Sequence, residues 1–98
     1  MGDPRVDSSL AAERAYLLDA LLRARQERHS HDPELRRAAR TLGRAARKLQ
    51  LPPERLVITL KELVRGPQLA QLSEWFRRLL TSRLIVWAID AYYDLDTD

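Results

Sequence analysis

Apolar residues recur at helical spacing in four stretches of this chain, and the last stretch holds most of the greasy surface. Within residues 68–93, Leu69, Leu72, Phe76, Leu79 and Leu80 fall on one side of a helix, and from residue 84 to 93 the chain is apolar all round apart from Asp90. Five of the six aromatic residues lie here, so this segment dominates whatever core forms. Read as one continuous helix, its 26 residues would extend about 39 Å at 1.5 Å per residue. A helix so apolar has to be surrounded.

The other three stretches read as shorter amphipathic helices with one apolar stripe each. The first, capped by Ser8 or Ser9 and running to about Glu27, aligns Leu10, Leu17, Leu18, Leu21 and Leu22, with Glu13 near the positive end of its dipole. Tyr16 lies off that stripe and is a candidate for a second contact. Asp32-Pro33-Glu34 is a helix start: a capping carboxylate, then a proline where no amide proton is needed, then a second acid. The helix that follows, about 33–49, has a seam of Leu35, Ala38, Ala39, Leu42, Ala45, Ala46 and Leu49. Its alanines permit close approach to a neighbour, and Gly43, about 1 kcal/mol worse than alanine in a helix, marks a tight crossing. Beyond Leu51-Pro52-Pro53-Glu54, a third helix over 53–65 turns Leu56, Val57, Leu60, Leu63 and Val64 inwards. Gly66-Pro67 ends it, the glycine being free to turn left-handed.

These elements predict an all-α fold, a compact four-helix bundle built on a long C-terminal hub helix. The 98 residues suit one domain, with 1–8 and 94–98 as flexible tails. Three short helices cannot cover a hub of that length on all sides, so part of it should stay bare for a partner. Its C-terminal end is the expected place: Trp87, Ile89, Tyr92 and Tyr93, with Arg83 and Asp90 as polar groups seven residues apart on one face. Arg83 also lies one turn from Trp87, within reach of a cation-π contact.

Charge alters this picture through its distribution. The net charge is only +3, yet residues 36–48 carry six positive side chains and no acid, whereas 90–98 carry four acids and no base. Such polarisation suits an oriented partner, including a second copy. Arg36, Arg40, Arg44, Arg47 and Lys48 recur at near four-residue spacing on the side of the second helix away from its seam. That stripe could grip phosphates without reading bases. The fifteen arginines against two lysines also fit a source genome rich in G and C, of a bacterial kind, in which the stripe would be an ordinary solvated face.

Residues 36–62 resemble a helix-turn-helix in the spacing of Ala46, Leu49, Leu51, Leu56 and Leu60, with Gln50 at the position of the turn glycine. The reading helix would offer Pro52, Pro53, Glu54, Val57, Ile58 and Lys61, a set that cannot make bidentate bonds to base edges. His29 and His31 with Asp32 and Glu27 are too few, on a loop, to fix a metal. The absence of cysteine excludes disulfides and thiolate zinc sites. None of the five serines sits in a nucleophile turn, and three glycines make no phosphate loop.

No enzyme, cofactor or metal is therefore expected. Position 6 is Val6, which breaks the myristoylation pattern after Gly2. The start lacks the apolar core of a secretory signal, and the apolar run 84–89 falls far short of the roughly 18 residues of a membrane span. A cytoplasmic location with no membrane partner follows. The sequence thus reads as a protein-interaction or regulatory module, a homodimer through its C-terminal helix. The alternative is a basic DNA-associated protein that holds phosphates with its second helix.

Overall fold

The computed structural model describes residues 4–27 and 33–93, with side chains over 10–26 and 33–93. The described residues form four α-helices, α1 Pro4–Glu27, α2 Pro33–Lys48, α3 Pro53–Val64 and α4 Glu74–Tyr92, with a 3-10 turn at Pro67–Leu69 between the last two. They make a compact all-α bundle with a radius of gyration of 12.8 Å, the size a chain of this length adopts when well packed. No described helix is long and apolar enough to cross a membrane.

The expected stripes form the core. Leu17, Leu21 and Ala24 of α1 meet Leu35, Ala38, Ala39, Leu42 and Ala46 of α2, while Leu56, Leu60 and Val64 of α3 close against Leu80, Leu84 and Ala88 of α4, all of them buried. The main helix contacts run in series, α1 on α2, α2 on α4, α4 on α3, and the body is flattened to 33 × 33 × 19 Å. The α2/α4 pair is the most extensive of these contacts, so α2 shares the central role expected of the C-terminal helix alone. Gly43 explains how closely they meet: a Cβ built there would lie 2.2 Å from the Ala88 carbonyl oxygen.

Three expectations about helix ends are corrected. The backbone is helical from Pro4, so Ser8 and Ser9 lie inside α1 rather than at its cap. The Asp3-Pro4 pair has the same form as the start signal Asp32-Pro33. The hub is not one helix of 26 residues. It breaks at 70–73 and restarts at Ser73, whose side chain accepts a bond from the Phe76 amide at 3.2 Å, leaving α4 with 19 residues. The Arg77 guanidinium holds the break by donating to the carbonyls of Ala70 and Leu72, each at 3.2 Å. Gly66 has φ −64° and ψ 160°, extended rather than left-handed. The left-handed residue is Gln50, with φ 58°, where Leu51 N–H donates to Ala46 and Gln50 N–H to Arg47, both at 3.0 Å. This pair of bonds is a Schellman ending for α2.

Gln50 thus turns where a helix-turn-helix would turn, but α3 packs on α4 and is not among the close neighbours of α2. The paired helices of that motif do not form. On the other flank, the Tyr16 hydroxyl donates to Glu34 Oε1 at 2.6 Å, tying α1 to the first turn of α2. That bond, then partial burial and the negative charge of Glu34, raise the Tyr16 pKa above its usual value, with Arg37 and Arg23 opposing. The protonated phenol is favoured in the fold, so its contribution is present below the unfolded tyrosine pKa and lost as pH rises through the folded one. In a spectrophotometric titration differenced against Tyr16→Phe, Tyr16 should ionise later than an ordinary tyrosine. Glu34→Gln should bring it back towards normal, and an unaltered curve would show that Glu34 is not the cause.

Candidate functional site

Two surfaces stand out, one on each side of α4. The first is a cleft of about 600 Å³ between α2 and α4, lined by Pro33, Arg36, Arg37, Arg40 and Arg44 from α2 and by Arg83 and Trp87 from α4. Five of these seven described lining residues are arginines and none of the seven is an acid. Arg36, Arg40 and Arg44 succeed one another at four-residue intervals, so they lie on one side of α2. Near the rim, Arg37 lies 3.8 Å from Glu34.

The arginine stripe is therefore not a uniform solvated face. Arg40 is only 5% exposed and forms cleft wall, Arg36 is half-buried, and Arg44 is open. Arg47 and Lys48 are exposed and do not line the cleft. The Arg47 guanidinium instead lies 5.3 Å from the centre of the Tyr92 ring, the cation-π contact that had been expected of Arg83 over Trp87. Arg83 and Trp87 are half-buried and face the same cleft. Arg83 Nε is buried with no hydrogen-bond partner among the described residues.

The second surface is the outer side of α4. Its core side is set by Leu80, Leu84, Ala88, Ala91 and Tyr92. Half a turn away lie Trp75, Leu79, Ser82, Val86, Ile89 and Tyr93, separated by 4, 3, 4, 3 and 4 residues. This alternation is that of one side of a coiled coil. Trp75 is 71% exposed, Val86 54% and Tyr93 47%, and Leu79 and Ile89 are half-buried. A shallow hollow of about 260 Å³ lies along it, lined by Leu79, Ser82, Arg83, Val86 and Trp87.

Of the residues expected to meet a partner, Ile89 and Tyr93 belong to this stripe, while Trp87 and Arg83 lie towards the cleft. Asp90 is half-buried. Tyr92 is a correction: its ring is 8% exposed, its hydroxyl donates to the Leu51 carbonyl at 2.5 Å, and its ring edge meets Tyr93 with centroids 4.9 Å apart. It fastens the end of α4 to the turn after α2 and offers little to a partner. Trp75, Leu79 and Val86 were missed as surface residues, and the alternating spacing was the signal that could have found them.

The histidine pair and Asp32 lie outside the described residues, as does the side chain of Glu27. No cluster of three metal-ligating side chains occurs among the described residues.

Among the described residues, fold and surfaces define a small all-α bundle with an arginine-lined cleft between α2 and α4 and a partly exposed apolar stripe on the outside of α4. Comparison with protein-family models, with curated proteins and with solved structures returned no match.

Proposed function

We propose that this chain is a protein-interaction module that pairs with a second copy of itself through the outer face of α4, acting by binding rather than by catalysis. The observation that carries the reading is the apolar stripe opposite the core side of the same helix. Exposed apolar strips of this kind are costly to leave in water and mark places where another surface docks.

Self-pairing is favoured over an unrelated partner because the stripe is complementary to its own reverse. With two α4 helices antiparallel and crossing at the level of Leu84, Trp75 of one copy meets Tyr93 of the other, Leu79 meets Ile89, and Ser82 meets Val86. Aromatic rings close both ends, and the small serine leaves room at the middle. The same arrangement brings the exposed Arg78, near the start of α4, level with Asp90 of the other copy. A parallel pair would set like charges together.

Light scattering coupled to size exclusion tests this directly. The wild-type chain should elute with about twice its 11.4 kDa mass. Trp75→Asp and Val86→Asp should each yield the monomer with an unchanged helical circular-dichroism spectrum, because both side chains are exposed within one copy. A monomeric wild type at high concentration, or a dimer that survives both substitutions, would refute the reading.

A further inference from the structure

We propose that the cleft between α2 and α4 is a binding site for single-stranded nucleic acid, its arginines taking successive phosphates and Trp87 stacking on a base. This goes beyond self-pairing and does not rest on it, since the cleft belongs to a single copy.

The composition of the lining points to an anion. Five arginines converge with no acid among the described lining residues; Arg36 and Arg40 also have partners within the fold, while Arg44 is open to solvent. The buried Arg83 Nε has no protein acceptor among the described residues. Guanidinium groups are planar forks suited to phosphate oxygens, and Arg36, Arg40 and Arg44 form a ladder along about 12 Å of helix. A bound chain of phosphates supplies negative charge where the fold gathers positive charge.

Shape and the tryptophan choose the kind of polyanion. The cations line a hollow rather than a convex ridge, and about 600 Å³ is the capacity of a site for a small ligand or a few connected units. A duplex backbone would reach the rim at Arg37 and Arg44 but not Arg40 in the wall. A single strand can enter, and Trp87, which lines the cleft and keeps part of its surface accessible, gives an unpaired base a stacking surface. Part of the Trp87 side chain packs on the core, and a polyanion without bases would leave the accessible part unused.

The test is fluorescence anisotropy with a labelled oligothymidine, a duplex of equal length, inorganic polyphosphate as competitor, and vesicles rich in phosphatidylserine. The oligothymidine should bind more tightly than the duplex or the vesicles, with affinity falling as salt rises. Trp87→Leu should weaken it by about 5- to 150-fold, the range for losing one stacked base, and leave polyphosphate competition for the residual site unaltered. Trp87→Phe should retain most of the affinity. Arg44→Ala should lower the salt slope by about 0.7, the share of one single-strand phosphate. With Trp75→Phe, Trp87 is the sole tryptophan of the chain, and its emission should quench on binding.

Equal or tighter binding of duplex or vesicles, no binding at low salt, or a Trp87→Leu variant that folds and binds like the wild type would each overturn the proposal. Repeating the titration on Val86→Asp keeps the two readings apart. Loss of the dimer there with binding intact sinks neither, whereas a dimer that binds no oligothymidine removes the cleft alone.

Discussion

Leu84→Ala should cost about 2–5 kcal/mol of folding stability, whereas Val86→Ala, two residues along the same helix, should change it by less than about 0.5 kcal/mol. Leu84 is fully buried in the core, and Val86 is 54% exposed on the opposite side of the helix. Truncating the leucine removes its contacts and leaves a void that close-packed neighbours fill only in part. Truncating the valine removes a group that water already touches. Against a total stability of about 5–15 kcal/mol for a domain of this kind, the first change threatens the fold. Urea unfolding of both variants, at concentrations low enough to keep single copies, measures the difference. Equal losses, or a larger loss at Val86, would mean that α4 is rotated from the orientation on which both proposed surfaces depend.

Gly43→Ala should destabilise even though alanine is the better helix former. The substitution gains about 1 kcal/mol of intrinsic helix preference. It also places a methyl group 2.2 Å from the carbonyl oxygen of Ala88, a backbone atom that cannot rotate aside, so α2 and α4 must separate along their most extensive contact. Overpacking of this sort costs about 1–3 kcal/mol or more, and here the high end applies. The net loss should be about 2 kcal/mol, seen as a melting temperature lower by roughly 8–16 °C for a chain near this size. A rise in melting temperature would mean that the helices do not cross at this glycine.

The number of helices and their buried faces were legible because stripes such as Leu35, Ala38, Ala39, Leu42 and Ala46 repeat with the helical period. The close crossing at Gly43 was legible too, from a glycine amid alanines. The break at 70–73 was hidden because Leu69, Leu72 and Phe76 keep helical spacing straight through it. Its local signal, Ser73 ahead of Glu74, is a capping serine followed by an acid in the first turn. Arg77, which secures the break by reaching back to two carbonyls, looks in sequence like any surface arginine.

The candidate site was half visible for a similar reason. Periodicity assigned Arg36, Arg40 and Arg44 to one side of α2, and separately set Arg83 near Trp87. That these two sets line one cleft depends on which helices become neighbours, and a period within one helix carries no information about that. The outer stripe of α4 was obscured by the apolar richness of residues 84–93, where core side and solvent side are both greasy and only contact with α2 and α3 separates them.

The serial order of the helices gives the molecule a central pair and two flanks that lean on it. Because α1 leans mainly on α2 and α3 mainly on α4, each outer helix depends on the central pair for its burial, and a substitution that spreads the crossing at Gly43 and Ala88 would loosen both. Arg25, whose guanidinium donates to the Gln68 carbonyl at 2.8 Å, is the latch that joins the amino-terminal flank to the turn ahead of α4. A pull on α1 would therefore be felt first in the turn from which α4 begins.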